Sequence, residues 1–206
     1  MRAIQRVTSR YPEVRLGTER RRPMARHPAI TVALHWGTAA ALVVSVAAMF
    51  VRDALEDGFW RHLLLEVHRQ LGLLVLLAVG IRIVLRLSRG LANHAFNMAR
   101  LLRWVANAGH AALYAFLAAL PLEGWAMTNA HGISLSLLGV VHLPALLGAD
   151  SELADTLADY HVLAAWWLLG FVGAHAAAAL WHHYVRRDAV LAAMLPRVPR
   201  RSQLRH

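Results

Sequence analysis

Four stretches of this chain, about residues 30–51, 68–87, 101–127 and 161–184, are dominated by apolar side chains. Each is long enough to cross ~30 Å of hydrocarbon as a helix rising about 1.5 Å per residue. No water is present in a bilayer core to satisfy backbone N–H and C=O groups, so runs of this length are held to helices. The sequence therefore predicts an all-α protein, an integral membrane four-helix bundle. Pro121, near the end of the third run, is expected to kink or terminate its helix. A fifth apolar patch, residues 133–147, is broken by His142 and Pro144. It is short for a span, and an interfacial or partly re-entrant segment is expected there.

The formal charge is +10, and every one of the 22 basic residues is an arginine. Nucleic acid is one partner that such a balance suggests, but the placement argues against it. Residues 1–28 carry eight arginines, the link between the second and third runs carries Arg86, Arg89, Arg100 and Arg103, and the C-terminal end carries six more. The other two links hold Asp53, Glu56, Asp57, Glu66, Glu123, Asp150, Glu152, Asp155 and Asp159. The positive-inside rule then places both termini and the central link in the cytoplasm, which requires an even number of spans. The arginines sit where topology wants them, and no nucleic acid is needed. Residues 1–28 lack the apolar middle of a cleavable signal peptide and read as a basic disordered leader. Met24 is a candidate start, because MARHPAITVALHW opens directly into the first span.

The chain has no cysteine. Disulfides, iron–sulfur clusters, thiolate zinc sites and covalently attached c-type haem are thereby excluded. Metal or cofactor chemistry falls to the 13 histidines, the carboxylates and the backbone. Ionisable side chains inside spans are costly and mark functional positions. His35 lies in the first span, His68 at the outer end of the second, and His161 and His175 in the fourth. The fourteen residues from His161 to His175 rise ~21 Å and fall ~40° short of four turns, so both share one helix face at two depths. His68 matches the depth of His161, and His35 that of His175. Helix–helix hydrogen bonding would explain one such histidine. Four in two depth-matched pairs, His68–His161 and His35–His175, suit axial ligation of two b-type haems across a bundle core.

Arg82 lies fourteen residues after His68, on the same face and at the inner depth. A cation there needs an anion, which a haem propionate supplies, or a route to the headgroups by snorkelling. Arg69 is placed to do the same beside the outer pair, and Arg86 lies one turn beyond Arg82. His110 in the third span reads as a packing or supporting residue and as the substitute ligand. His182 and His183, with Trp181 and Tyr184, form an interfacial belt or, alternatively, a quinone site in which an imidazole bonds a carbonyl. His62, His131 and His142 read as solvated outer-loop residues. No general acid, nucleophile or phosphate-binding loop is found, so no catalytic side chain is assigned.

The stretches ITVALHW around His35, EVHRQLGLLVLLAVGIRIVLRL around His68, GHAALYAFLAALPLEGW around His110 and YHVLAAWWLLGFVGAHAAAALWHHYVRRD across His161 and His175 are specific as a set. Together they resemble the bacterial cytochrome b561 family, especially its short superoxide:ubiquinone oxidoreductase members, over about residues 28–195. The resemblance implies a multi-pass di-haem protein of the bacterial inner membrane, with His35, His68, His161 and His175 binding two haem b. It implies transfer of electrons from superoxide, or another periplasmic donor, to ubiquinone, with His182 as a candidate quinone contact. The organisation expected is a leader (1–28), a four-span di-haem domain (29–190) and a basic cytoplasmic tail (191–206). One feature departs from this pattern: the outer links are acidic, whereas capture of anionic superoxide gains from a positive funnel, for which Arg61 and Arg69 are the local sources. Two other readings compete. One is a haem b anchor subunit of a dehydrogenase or hydrogenase complex, and the other a haem-free transporter using the histidines as an ion path.

Overall fold

The computed structural model describes residues 28–88 and 100–195. Residues 1–27 of the expected leader and 196–206 of the expected tail lie outside the described residues. Four helices follow in order: α1 (Ala29–Asp53), α2 (Phe59–Ser88), α3 (Arg100–Ala130) and α4 (Ser151–Tyr184). All four are long and apolar enough to cross a membrane. Side chains such as Val43, Trp166 and Trp167 are largely exposed, as an outward face meeting lipid chains requires.

The helices are longer than the apolar runs that announce them. Helix α4 begins at Ser151 because Asp150 takes the cap position, its carboxylate accepting from Leu153 N at 3.0 Å. The Asp150 N–H meanwhile donates to Ala130 O at 2.8 Å, fastening the end of α3 to the start of α4. Losing such a cap costs about 1 kcal/mol. Asp150→Ala is therefore expected to lower the thermal unfolding midpoint of the detergent-solubilised protein by a few degrees, with the absorption spectrum unchanged. Pro121 does not terminate α3, which continues to Ala130. The carbonyl of Leu117 loses its usual partner there, a loss that a helix packed in a bundle tolerates.

The turn between α1 and α2 is closed by Arg61, whose guanidinium donates to Arg52 O at 3.0 Å and Leu55 O at 3.1 Å and pairs with Asp57 at 3.2 Å. So short a link makes α1 and α2 antiparallel neighbours. The closest backbone approaches are α1 with α2, α2 with α3, and α3 with α4. Across the remaining seam, α1 and α4 meet through rings, Phe50 against Trp166 (6.2 Å between centroids) and His35 against His175. Val79, Val75, Leu73, Ala48, Leu120 and Leu168 fill the buried interior.

The apolar patch between α3 and α4 is not helical. It forms a small antiparallel hairpin, β1 (Ser136–Leu137) with β2 (Val141–His142), turned by Leu138 and Gly139 at positive φ. Two amide side chains hold it down. Gln70 of α2 donates to Ser136 O and accepts from Leu138 N, both at 2.9 Å. Asn129 of α3 donates to Ile133 O at 3.0 Å and accepts from Leu146 N at 2.9 Å. Gln70 lies two residues beyond His68, so this hairpin is anchored beside the first of the histidine pairs.

Candidate functional site

Two pairs of imidazoles face each other across the bundle. The pair nearer the α1–α2 turn, called outer, joins His68 of α2 to His161 of α4 at 6.1 Å between ring centroids, with planes 76° apart. The inner pair joins His35 of α1 to His175 of α4 at 6.3 Å and 63°. An axial pair on one metal, with two metal–nitrogen bonds of about 2 Å and ~1.1 Å from nitrogen to ring centre on each side, has centroids about 6 Å apart. Both spacings suit a group held from two sides, and the donor set, neutral imidazole, is the one that b-type haem takes. The residues present fit the group.

Each outer ring has a neighbour that sets it. Nδ1 of His68 lies 2.9 Å from Ser45 Oγ and 3.2 Å from Ser45 O. Donation from Nδ1–H to that carbonyl would fix the tautomer and leave the Nε2 lone pair free to bind a metal. His161 lies against α3, where Gly124 gives it room: a methyl on Gly124 would reach 3.4 Å from its Cε1. Glu123 Oε2 stands 3.8 Å from His161 Nδ1, a buried nitrogen with no hydrogen-bond partner among the described residues. Ser45 and Gly124 escape the sequence reading, and Glu123 enters it only as an outer-link acid. Their one signal is a lone serine within the first apolar run.

The inner level holds a third imidazole. His110 of α3 comes within 5.3 Å of His175, closer than an axial pair, and its Nδ1–H donates to Ala106 O at 2.7 Å. Sequence reasoning left His110 without a partner at its depth, because depth alone does not say which way a helix face points. The Arg82 guanidinium lies 5.3 Å from the Tyr114 ring centroid, and Tyr114 is one turn from His110. The Nε of Arg82 is buried without a hydrogen-bond partner, and among the described residues no carboxylate pairs with it. Arg69, by contrast, is engaged by Glu66 at 3.7 Å. Arg61, the other candidate for an outer positive funnel, is consumed in closing its turn.

Helix α4 carries the site onward. Seven residues separate His175 from His182, ~10 Å of rise and ~20° short of two turns, so both lie on one face. Beyond the helix the chain folds back: Asp188 N donates to His182 O at 3.1 Å, and the imidazole Nδ1 of His182 meets Asp188 Oδ2 at 2.5 Å. Val190 N donates to the other carboxylate oxygen at 3.2 Å. Partial burial pushes the Asp188 carboxyl up, but the bonds from His182 and Val190 and the charges of His182 and Arg186 outweigh it and hold the group below the usual carboxylate range. A carboxyl depressed in this way favours the folded state above its unfolded pKa, and that contribution fades as pH falls through the lowered value. Residues 192–194 form a short 3-10 turn, and Trp36 Nε1 donates to Met194 O at 2.7 Å, tying this segment to α1 beside His35. An open apolar groove lined by Trp36, Ala39, Ala40, Val43 and Val44 runs along α1 from the same point. Asp188 is a further residue that the sequence reading missed, hidden among tail arginines.

The family model described as prokaryotic cytochrome b561 matches residues 26–197. Cytochrome b561 homolog 2 of Escherichia coli (strain K12) is 30% identical over 173 residues, covering 82% of this chain and 91% of its own. Cytochrome b561 homolog 1 of the same organism is 31% identical over 184 residues, 84% and 99% of the two chains. The protein named "Probable superoxide oxidase CybB" of Yersinia pestis is 27% identical over 174 residues, 84% and 97%.

Proposed function

This chain belongs to the prokaryotic cytochrome b561 family, and on that premise we propose that it is a di-haem oxidoreductase carrying electrons from superoxide to ubiquinone. The family makes it a membrane-embedded haem protein of electron transport. The observation that carries the finer reading is the pair of imidazole couples, at 6.1 and 6.3 Å, stacked along one face of α4. His68 and His161 hold the outer haem b, His35 and His175 the inner one. Bound haem b supplies one-electron redox chemistry.

The chain's own part is placement and electrostatics. Ser45 orients His68, Gly124 lets His161 close on the bundle, and Arg82 gives the inner haem's propionate a cation. Arg69, already shared with Glu66, is the weaker anchor for the outer haem. His182, on the face that carries the inner couple, hydrogen-bonds a carbonyl of ubiquinone, whose apolar tail has the groove beside Trp36 to follow. The protein is set in the bacterial inner membrane with both termini cytoplasmic and the outer couple on the periplasmic side. Superoxide as donor is supported by the name of the Yersinia relative. Two superoxide ions, one quinone and two protons then give two dioxygen molecules and one quinol.

The exposed acidic residues Glu152, Asp155 and Asp159 at the head of α4 favour a second reading, in which a basic partner protein docks there and delivers the electrons. One assay separates the two. The purified chain, given a superoxide source and a soluble ubiquinone analogue, is expected to form quinol, and superoxide dismutase is expected to abolish the reaction. A two-haem chain that forms no quinol alone and co-purifies with an obligate partner establishes the second reading.

A further inference from the structure

We infer that His182 and Asp188 form a proton-delivering dyad at the quinone end of the bundle, with Asp188 as the positioning residue. The inference rests on the reading that His182 meets the quinone, and it adds the source of the proton. Full reduction of a quinone takes two electrons and two protons. A haem held by His35 and His175 would supply the electrons singly, and each carbonyl oxygen needs one proton.

The geometry gives one of those protons a route. Asp188 Oδ2 is seated on Nδ1 of His182, Val190 N holds Oδ1, and the Asp188 N–H is bonded back to His182 O. The carboxylate is thus locked in place by its own turn. A carboxylate on Nδ1 does two things to an imidazole: it stabilises the doubly protonated ring, and it fixes which proton stays when the ring gives one up. Nε2–H of the imidazolium donates to the quinone carbonyl and transfers its proton as electrons arrive. Nδ1–H remains on Asp188, and the freed Nε2 lone pair takes a new proton from water at the helix end. The second proton reaches the far carbonyl from water directly. The His182 and Asp188 side chains are 16% and 32% exposed, shielded but not sealed.

The test measures quinone reduction by the intact two-haem protein with a water-soluble ubiquinone analogue, alongside reduction of its haems by dithionite. Asp188→Asn keeps the shape and removes the charge. It is expected to lower kcat by about 10- to 100-fold with KM nearly unchanged and haem reduction unaltered. Asp188→Glu is expected to recover part of the loss. His182→Gln is expected to be at least as slow. If His182→Gln is slow and Asp188→Asn matches the parent, the dyad is wrong while the quinone contact stands. If both match the parent, the quinone contact at His182 is wrong and the dyad falls with it. Should Asp188→Asn also lose haem, Asp188→Glu decides: haem and kcat restored together uphold the dyad, and haem restored without kcat overturns it.

Discussion

Chains carrying His68→Ala are expected to bind one haem b where the proposed di-haem parent binds two, and chains carrying His175→Ala are expected to lose the other. The halved content follows from the cross-bundle couples. In the proposed scheme each metal is held from two helices, and removing one imidazole leaves a gap for which the described residues offer no second ring at the outer level, where His68 meets the ring of His161. At the inner level the outcome is more instructive, because His35 and His110 both approach His175. The 6.3 Å couple fits a shared metal and the 5.3 Å contact is too short for one. His110→Ala is therefore expected to retain both haems, while His35→Ala loses one. Pyridine haemochrome quantitation with reduced-minus-oxidised spectra reads all four variants. Haem content unaffected by both His68→Ala and His175→Ala would sink the ligation scheme, whatever became of the topology.

Arg82→Gln is expected to lower the midpoint potential of one haem and leave the other in place. The half-buried guanidinium, its Nε fully enclosed, has an aromatic face beside it but no carboxylate among the described residues, so its charge is left for an anion on a bound group. A unit charge acting over ~10 Å at an effective dielectric near ~20 is worth about 1–2 kcal/mol. For a one-electron couple, at ~59 mV per tenfold change, that is a fall of roughly 40–90 mV, since removing a cation favours the oxidised, more positive state. Arg86→Gln supplies the control, because Arg86 is exposed at the end of α2. Redox titration of both variants discriminates the propionate role from simple snorkelling: equal and negligible shifts would mean that Arg82 only reaches for the headgroups.

Some of this protein follows from the order of its residues alone. Apolar runs long enough to span a bilayer dictate four helices, because hydrocarbon offers a backbone no other partner. The fourteen-residue interval from His161 to His175 places both rings on one face, because helical periodicity is a local property that needs no knowledge of the neighbours. The matching with His68 and His35 extends that argument by counting depth from the ends of each run, and the structure brings those rings together.

Counting depth has limits that the same helices expose. It left His110 unpartnered, although the rotation of α3 turns that ring toward His175. Of the kink or stop expected at Pro121, the stop does not occur: the helix continues to Ala130, because packing in the bundle outweighs one lost hydrogen bond. The same counting read residues 133–147 by apolar length, whereas Gln70, distant in sequence, and Asn129, just before the stretch, pin it as a hairpin. Arg61 was available as an outer positive charge until the fold spent it on Asp57 and two carbonyls.

Local sequence thus determined the number of helices, their apolar character and the facial alignment of the α4 histidines, all properties of one helix at a time. Tertiary structure alone decided what touches the histidines of α2 and α4: Ser45 on His68, Gly124 and Glu123 beside His161, Asp188 on His182. The reason is physical. A helix's period and hydropathy are written in consecutive residues, but the rotation and offset between helices come from packing summed over the whole bundle, and the partners of each imidazole are fixed only when that packing is complete.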